Sequence, residues 1–226
     1  MPPTPPEPRP RKRAALDREA ILAAATELAA SGASLTFRSL GSALGADPTA
    51  IYRRFRDKDE LMAALLDGLI SASLVAVDRD APWRDQLRAG AVHTIDIFAS
   101  HPQIGVQATA IATGGPGELA VIDWILSQLG RAGLDKEQVV RCYAAYSSYV
   151  LAAAATLSQQ QLDENDGVPP SSWVGDLRAV DAARHPALAA VLPELLALTG
   201  REVFLAGIDV LLDSFEALAT QTALAD

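Results

Sequence analysis

The chain has 226 residues, half of them apolar, with a net charge of −9 and one cysteine. That length supports one large domain or two modest ones around a sizeable core, while 15 Gly, 14 Pro and 5% aromatics fit neither a collagen-like repeat nor a low-complexity polymer. Cys142 alone cannot close an internal disulfide, no Cys/His group has zinc-ligand spacing, and no apolar run reaches the ~18 residues of a membrane helix. The first ten residues hold six Pro and no apolar stretch, which speaks against a secretory signal. A soluble protein of the reducing cytoplasm, with no metal and no cofactor, is expected.

The charge is unevenly placed. Through Lys58, ten Lys and Arg stand against six Asp and Glu, a balance of +4; from Asp59 onward nine stand against twenty-two, a balance of −13. A basic segment on an acidic body meets a polyanion with one end and repels it with the other, which sets orientation as well as contact. Charged faces that only keep a chain in solution would give the same average, so motifs have to separate the two readings.

Residues 1–15 form a proline-rich arm ending Arg9-Pro10-Arg11-Lys12-Arg13. It is expected to be disordered alone, and three roles compete for it: a solvated tail, an arm laid along a DNA groove, or a polyproline ligand. From Asp17 onward Ala and Leu dominate and Gly and Pro fall at helix-length intervals, so an all-α fold is expected. The first helix runs from Asp17 to about Ser31, with Leu16 and Ile21 as staple, Ile21, Ala25 and Leu28 as its apolar stripe and Gly32 as its stop. The second starts at Thr36, turns Phe37, Leu40, Ala43 and Leu44 inward, and ends at Gly45. Asp47-Pro48, a capping carboxylate before a Pro at the first helical position, opens a third helix of little more than two turns. Asp57 caps a fourth, with Glu60 in the capping-box place and Leu61, Leu65 and Leu69 as its buried stripe, running to about Val77.

Two short helices joined by Gly45-Ala46-Asp47 make a helix-turn-helix, whose second helix fits a DNA major groove. Ile51 and Phe55, one turn apart, face the small core, which leaves Thr49, Tyr52, Arg53 and Arg56 on the opposite side. No acid interrupts residues 48–56. Thr49 and Ala50 suit base edges, including a thymine methyl, and Arg53 suits the bidentate contact to guanine. Tyr52 suits a phosphate. So do Lys58 and Thr36, each at a helix start where backbone N–H groups and the dipole already favour an anion, and Arg38 is a further clamp beside Thr36. The alternative is a capped hairpin that only packs.

Three stretches carry a resemblance. Thr36-Phe37-Arg38-Ser39-Leu40, then Gly45-Ala46-Asp47-Pro48-Thr49-Ala50-Ile51-Tyr52-Arg53-Arg54-Phe55, then Asp57-Lys58-Asp59-Glu60-Leu61 resemble the DNA-binding domain of TetR-type transcriptional regulators, over Asp17 to about Leu66. The resemblance implies that Tyr52 and Lys58 clamp phosphates and that Pro48, Thr49, Ala50 and Arg53 read bases. It also implies a homodimer that usually represses transcription and leaves its DNA when a small molecule binds the larger C-terminal domain.

Beyond Trp83 the Gly and Pro spacing predicts helices at about 83–100, 103–112, 117–132, 135–161, 186–198 and 201–220. The stretches 139–157 and 203–218 are apolar nearly all round and need a partner; the economical one is the same pair from a second subunit, which assigns Tyr149, Phe204, Ile208, Leu211 and Phe215 to a homodimer interface. A fully internal helix pair is the alternative. His93, Phe98, Trp124, Tyr143 and Tyr146 are the candidates for lining a largely apolar effector site, although an isolated aromatic at helical spacing is more often core. Gly114-Gly115-Pro116-Gly117 lacks the Lys-Ser/Thr of a phosphate loop and is read as a flexible break at a pocket rim. Residues 162–184 are expected to form a mobile loop over that pocket.

The body from Trp83 to about Gln161 is loosely similar to the C-terminal region of the tetracycline repressors, as in Trp83-Arg84-Asp85-Gln86-Leu87 and Leu129-Gly130-Arg131-Ala132-Gly133-Leu134. Ile111 and Ser158 or Gln159 stand where those repressors hold a magnesium–drug chelate through His and Glu, so neither tetracycline nor a metal is expected. The organisation that follows is an arm at 1–15, a DNA-reading domain at 16–60 and an effector-binding and dimerisation domain at 61–226. The expected partners are double-stranded operator DNA, a small-molecule effector and a second copy, with no membrane. Rival functions are a helical carrier or enzyme, for which no Ser/His/Asp order or paired-carboxylate motif stands out, and an adaptor docking through the arm.

Overall fold

A computed structural model describes residues 17–167 and 180–225, and all regular structure among them is α-helical. The proline-rich arm, the Leu16 staple and residues 168–179 of the expected loop lie outside the described residues. The DNA-reading part is built from α1 (Arg18–Ala30), α2 (Phe37–Leu44), α3 (Pro48–Tyr52) and the start of α4 (Lys58–Ala72).

Each of these helices starts on the capping side chain expected of it. The Ala20 N–H donates to Asp17 at 2.7 Å, Thr49 N–H to Asp47 at 2.8 Å and Glu60 N–H to Asp57 at 2.8 Å, while Thr36 and Ser39 cap each other reciprocally. These bonds satisfy N–H groups that have no partner inside the helix. Glu60 reaches back past Asp57 to the Arg56 N–H at 2.9 Å. The Glu60 N–H holds the Asp57 carboxyl below its usual range, and the Arg56 N–H does the same for Glu60. A lowered folded-state value means their capping contribution is present at neutral pH and fades as the pH falls through those values.

The turn between α2 and α3 depends on two glycines. Gly45 ends α2 in the left-handed region at φ 59°, and a Cβ on buried Gly41 would come within 2.9 Å of the Ala46 carbonyl oxygen, so the two helices meet only over a bare Cα. Behind them Ile21, Ala25, Leu40, Ile51, Phe55 and Leu61 are buried. The Arg18 guanidinium lies over the Phe55 ring at 4.2 Å and donates to Glu60 at 3.1 Å and to the Arg54 carbonyl at 3.3 Å, closing α1 onto the start of α4.

Several boundaries depart from expectation. Ala43 is exposed, because α2 buries Gly41 in its place. The third helix has five residues, giving way to a turn at Arg53 and Arg54. Helix α4 stops at Ala72 and continues as turns, with the buried Ser73 hydroxyl bonded to Ile70 O.

The body comprises α5 (Trp83–Ser100), α6 (Pro102–Gly105), α7 (Pro116–Arg131), α8 (Lys136–Asn165), α9 (Pro186–Ala197) and α10 (Gly200–Ala225). Helix α5 packs on α7 and α8, α10 lies across α8 and α5, and α4 leans on α7 and α5. Helix α6 is one turn, against an expectation of ten residues, and is wedged between α8 and α1. Residues 162–165, expected in a loop, continue α8.

The expected subunit interface is corrected most. Phe204, Ile208 and Phe215 are at most 4% exposed within the single chain. The Tyr149 ring stacks on Phe204 at 5.7 Å, with its hydroxyl 3.1 Å from Val203 O and 3.2 Å from Phe204 O. These residues join α10 to α8 within the chain, with Tyr149 and Leu211 half-buried there. Ion pairs fix the same packing to α5: Arg88 with Asp209 at 2.7 Å, Arg84 with Asp213, and Arg201 with Asp96. Each partner shifts the other, Asp209 raising the Arg88 guanidinium and Arg88 lowering the Asp209 carboxyl.

Replacing Phe55 with Ala is expected to cost about 3–5 kcal/mol through lost burial and the cavity left behind. The check is the urea midpoint of the helical circular dichroism signal; an unchanged midpoint would show that the core of the reader does not rest on this ring.

Candidate functional site

The surface of α3 and its neighbours separates cations that are spent from cations that are not. Arg18 is paired with Glu60, and Arg56, expected on the outward face, is paired with Asp57 at 2.9 Å. Arg38 and Lys58 are exposed and make no ion pair among the described residues. Arg53 is exposed too; it lies close enough to help lower the Asp47 carboxyl without bonding to it. Tyr52 is 58% exposed, far above the usual burial of an aromatic, and its ring stands edge-on to Phe37 at 4.6 Å. Thr36 and Thr49 are exposed, and Pro48 and Ala50 half-buried. The Thr49 hydroxyl donates to Asp47 at 2.6 Å, which lowers that carboxyl and leaves the Thr49 oxygen lone pairs and methyl for an outside group.

The helix starts contribute less than expected. The Glu60 N–H is taken by Asp57, and Asp59 and Glu60 stand in the first turn of α4, so an anion near Lys58 would be held by its ammonium more than by the helix end.

Two polar links join this surface to the body. Gln103 on α6 donates from Nε2 to Gly32 O at 3.0 Å and Ala33 O at 2.7 Å, and its Oε1 accepts from Leu35 N–H at 3.3 Å, pinning the loop between α1 and α2. The Asp67 carboxylate, from the middle of α4, accepts from Gly117 N–H at 3.0 Å and Glu118 N–H at 2.8 Å, capping a helix whose own N-cap, Gly115, has no side chain. A Cβ on either Gly115 or Gly117 would lie 2.4 Å from Asp67 atoms, so the contact has no slack. The four residues expected to form a flexible break are therefore a fixed joint.

Past Asp67, α4 becomes a cavity wall. A cavity of about 70 Å³ lies between α4, α5, α7 and α8. Helix α4 supplies Ile70 and the turns after it Ser73 and Leu74, α5 Gly90 and Thr94, α7 Glu118, Val121, Ile122, Trp124 and Ile125, and α8 Tyr143, Tyr146, Ser147, Val150 and Leu151. Of the residues expected to line such a site, Trp124, Tyr143 and Tyr146 do. His93 and Phe98 do not: α5 faces the cavity through Gly90 and Thr94, and Phe98 is fully buried in the core a turn beyond. Tyr146 donates to Leu87 O at 2.7 Å, and its burial pushes the hydroxyl's ionisation up. Asp67, Gln103, Glu118 and Ser147 were missed. The one sequence signal for Asp67 is that Gly115-Pro116 opens a helix without a capping side chain, so the cap has to come from elsewhere. No group of three His, Cys, Asp or Glu among the described residues could hold a metal ion, and no helix among them is long and apolar enough to cross a membrane.

A turn-linked helix pair presenting exposed cations, joined through α4 to an α-helical body with a largely apolar cavity, defines a helix-turn-helix regulator. Residues 21–65 match the bacterial regulatory proteins of the tetR family, and residues 78–219 match the tetracyclin repressor-like C-terminal domain. The chain belongs to the TetR family of DNA-binding transcriptional regulators, a family of regulators and not of enzymes. It is similar to an HTH-type transcriptional regulator of Saccharopolyspora erythraea, 28% identical over 83% of this chain and 80% of that one. It is also similar to an HTH-type transcriptional repressor of Mycobacterium tuberculosis, 29% identical over 79% of this chain and 71% of that one. The fold is shared with the TetR family protein ActR of Streptomyces coelicolor in complex with actinorhodin, at TM-score 0.74 and 21% identity over 89% of this chain and 96% of that one.

Tyr52→Phe and Lys58→Ala are expected to weaken binding to any duplex, whereas Arg53→Ala relaxes sequence choice, with one base-pair preference reduced by about 1–3 kcal/mol. Titration against cognate and scrambled duplexes at fixed salt separates the two; equal loss on both for Arg53→Ala would remove its base-reading role.

Proposed function

We propose that the protein is a repressor that holds operator DNA as a homodimer and releases it when a small molecule fills the cavity behind α4. The observation that carries this reading is the double duty of α4: its first half completes the core of the reader through Leu61 and Leu65, and its last turn walls the cavity through Ile70, followed by Ser73 and Leu74 in the turns it runs into. In this reading Thr49, Ala50 and Arg53 meet base edges beside Pro48, while Tyr52, Lys58, Thr36 and Arg38 hold phosphates on either side. The working division is the one expected from sequence, 1–15, 16–60 and 61–226, and the site of action is the cytoplasm, where the DNA lies. The repressor name of the M. tuberculosis relative and the small molecule bound to ActR support the direction and the existence of an effector.

The homodimer is supported by faces the chain leaves uncovered on the helices that carry the residues first assigned to it. Val140 is 61% exposed on α8 in line with Ala144, Ser148 and Ala152, and Val210 is 63% exposed on α10 near Ala206 and Ala217. Helix α9 is strongly apolar yet buries none of its residues. Joined about a two-fold axis, such faces set the distance between two α3 helices, which must be about 34–36 Å to meet successive major-groove faces.

Three experiments test the reading. In gel shifts, the protein should retard DNA flanking its own coding region saturably and in a salt-sensitive way; no retardation at low salt would sink it. Val210→Glu, at an exposed position, is expected to give a monomer by sedimentation and to lower operator affinity at least tenfold, while a variant that stays dimeric and binds DNA normally would move the interface elsewhere. Asp67→Asn keeps the shape of the cap and removes its charge; it is expected to leave the reader folded but to change operator affinity, measured by the same titration.

A further inference from the structure

We propose that the cavity selects an uncharged, largely aromatic or alicyclic effector presenting a hydrogen-bond acceptor, such as a ring carbonyl, to Trp124 Nε1–H and Ser147 Oγ–H, and that it rejects carboxylates and phosphates. The inference rests on the effector reading and adds the ligand's chemistry to it.

Accounting for the polar groups in the wall leads there. The Ser73 hydroxyl donates to Ile70 O at 2.7 Å, Thr94 to Gly90 O at 2.8 Å and Tyr146 to Leu87 O at 2.7 Å, so these three are spent within the fold. Trp124 Nε1 and Ser147 Oγ are buried with no partner in the protein. Trp124 is 8% exposed as a whole, and a Cβ on Gly90 would lie 2.8 Å from its Cη2, so the six-membered end of the indole is seated on α5. Buried donors are nearly always paired in folded proteins, and two on one cavity wall mark where an acceptor belongs.

The charge of the wall sets the second half of the rule. Among the described residues no Lys, Arg or His lines the cavity, and the one carboxyl there, Glu118, accepts from Thr113 at 2.7 Å and Gly114 N–H at 2.6 Å. An anionic ligand would lose its water beside a carboxylate with no cation to receive it. The guanidinium of Arg79 lies over the Trp124 ring at 5.7 Å but is not part of the wall. Size completes the description: about 70 Å³ is roughly half the ~150 Å³ in which a benzene ring lodges, so even one ring has to press the wall outward.

Four molecules of one shape test the rule: acetophenone, isopropylbenzene, benzoate and 1-phenylethylammonium, titrated into the full chain labelled with ¹⁵N. The indole N–H resonance of Trp124, assigned with Trp124→Phe, reports directly on a hydrogen bond to Nε1. Acetophenone is expected to move it downfield and to bind about tenfold more tightly than isopropylbenzene, with the ratio falling toward one in Ser147→Ala and Trp124→Phe, and benzoate is expected to bind least. Equal binding of isopropylbenzene, or tightest binding of benzoate, overturns the acceptor rule while leaving the cavity a ligand site. If none of the four disturbs Trp124, the cavity takes no ligand, and the effector reading falls together with the proposal.

Discussion

Helix α7 begins on a glycine and is capped by a carboxylate from another helix, and the relation between the two halves of the molecule depends on that loan. Asp67 sits midway along α4, between the residues that close the reader's core and those that wall the cavity. Because Gly115 and Gly117 approach it more closely than any side chain would permit, α7 cannot slide on α4 without breaking charge-assisted hydrogen bonds at a helix terminus. Close-packed interiors have discrete arrangements and do not deform continuously, so a ligand that presses α7 away from α8 takes α4 with it or breaks the cap. Gln103 supplies the second attachment, on the far side of α1. Two polar tethers on different helices hold the reader in one orientation, where a single one would leave it free to rotate.

Electrostatics divide the molecule in the same way. In the body the arginines of α5 and α10 are matched by acids on the facing helix, Arg88 by Asp209 and Arg201 by Asp96, and these half-exposed pairs add orientation more than stability. In the reader Arg18 is matched by Glu60 and Arg56 by Asp57, whereas the exposed Arg38 and Lys58 make no ion pair among the described residues. Charge is thus neutralised where it organises the domain and left unspent where a polyanion would approach. The acid that remains there, Asp47, is occupied by Thr49 and fixes the threonine whose outer side faces the duplex in the proposed complex.

The reader was legible because its signals are local. A cap lies within three residues of the amide it serves, so Asp17, Thr36, Asp47 and Asp57 announce their helices without knowledge of the fold. The body was legible in its elements, α5 at Trp83–Ser100 above all, and much less in its contacts. Apolar periodicity says that the stripe Phe204, Ile208, Phe215 is buried, and it cannot say against what; within the chain Phe204 meets Tyr149, 55 residues away in sequence and one ring-stack away in space. His93 and Phe98 went astray for a similar reason, since an aromatic count does not say which side of α5 meets the void. Asp67 was invisible because its partner amides lie some fifty residues on, and a carboxylate in an apolar helix reads as a solvated accident until the uncapped end of α7 is placed beside it.

A contracted cavity gives the switch its energy difference. An effector shifts a two-state equilibrium only by the difference in its affinity for the two states, and moving a population from about 1:99 to 99:1 requires about 5.5 kcal/mol of it. Apolar contacts that a ligand would make equally in both states contribute nothing to that difference. The cavity in this chain has about half the ~150 Å³ of one that takes benzene, so in the proposed switch a seated ring belongs to a widened arrangement. The same holds for hydrogen bonds to Trp124 and Ser147, whose polar atoms have no protein partner in the contracted arrangement. Both kinds of contact form only as the wall opens, and the wall includes the half of α4 that lies beyond Asp67, so the interactions that hold the effector are the ones that displace the helix carrying the reader.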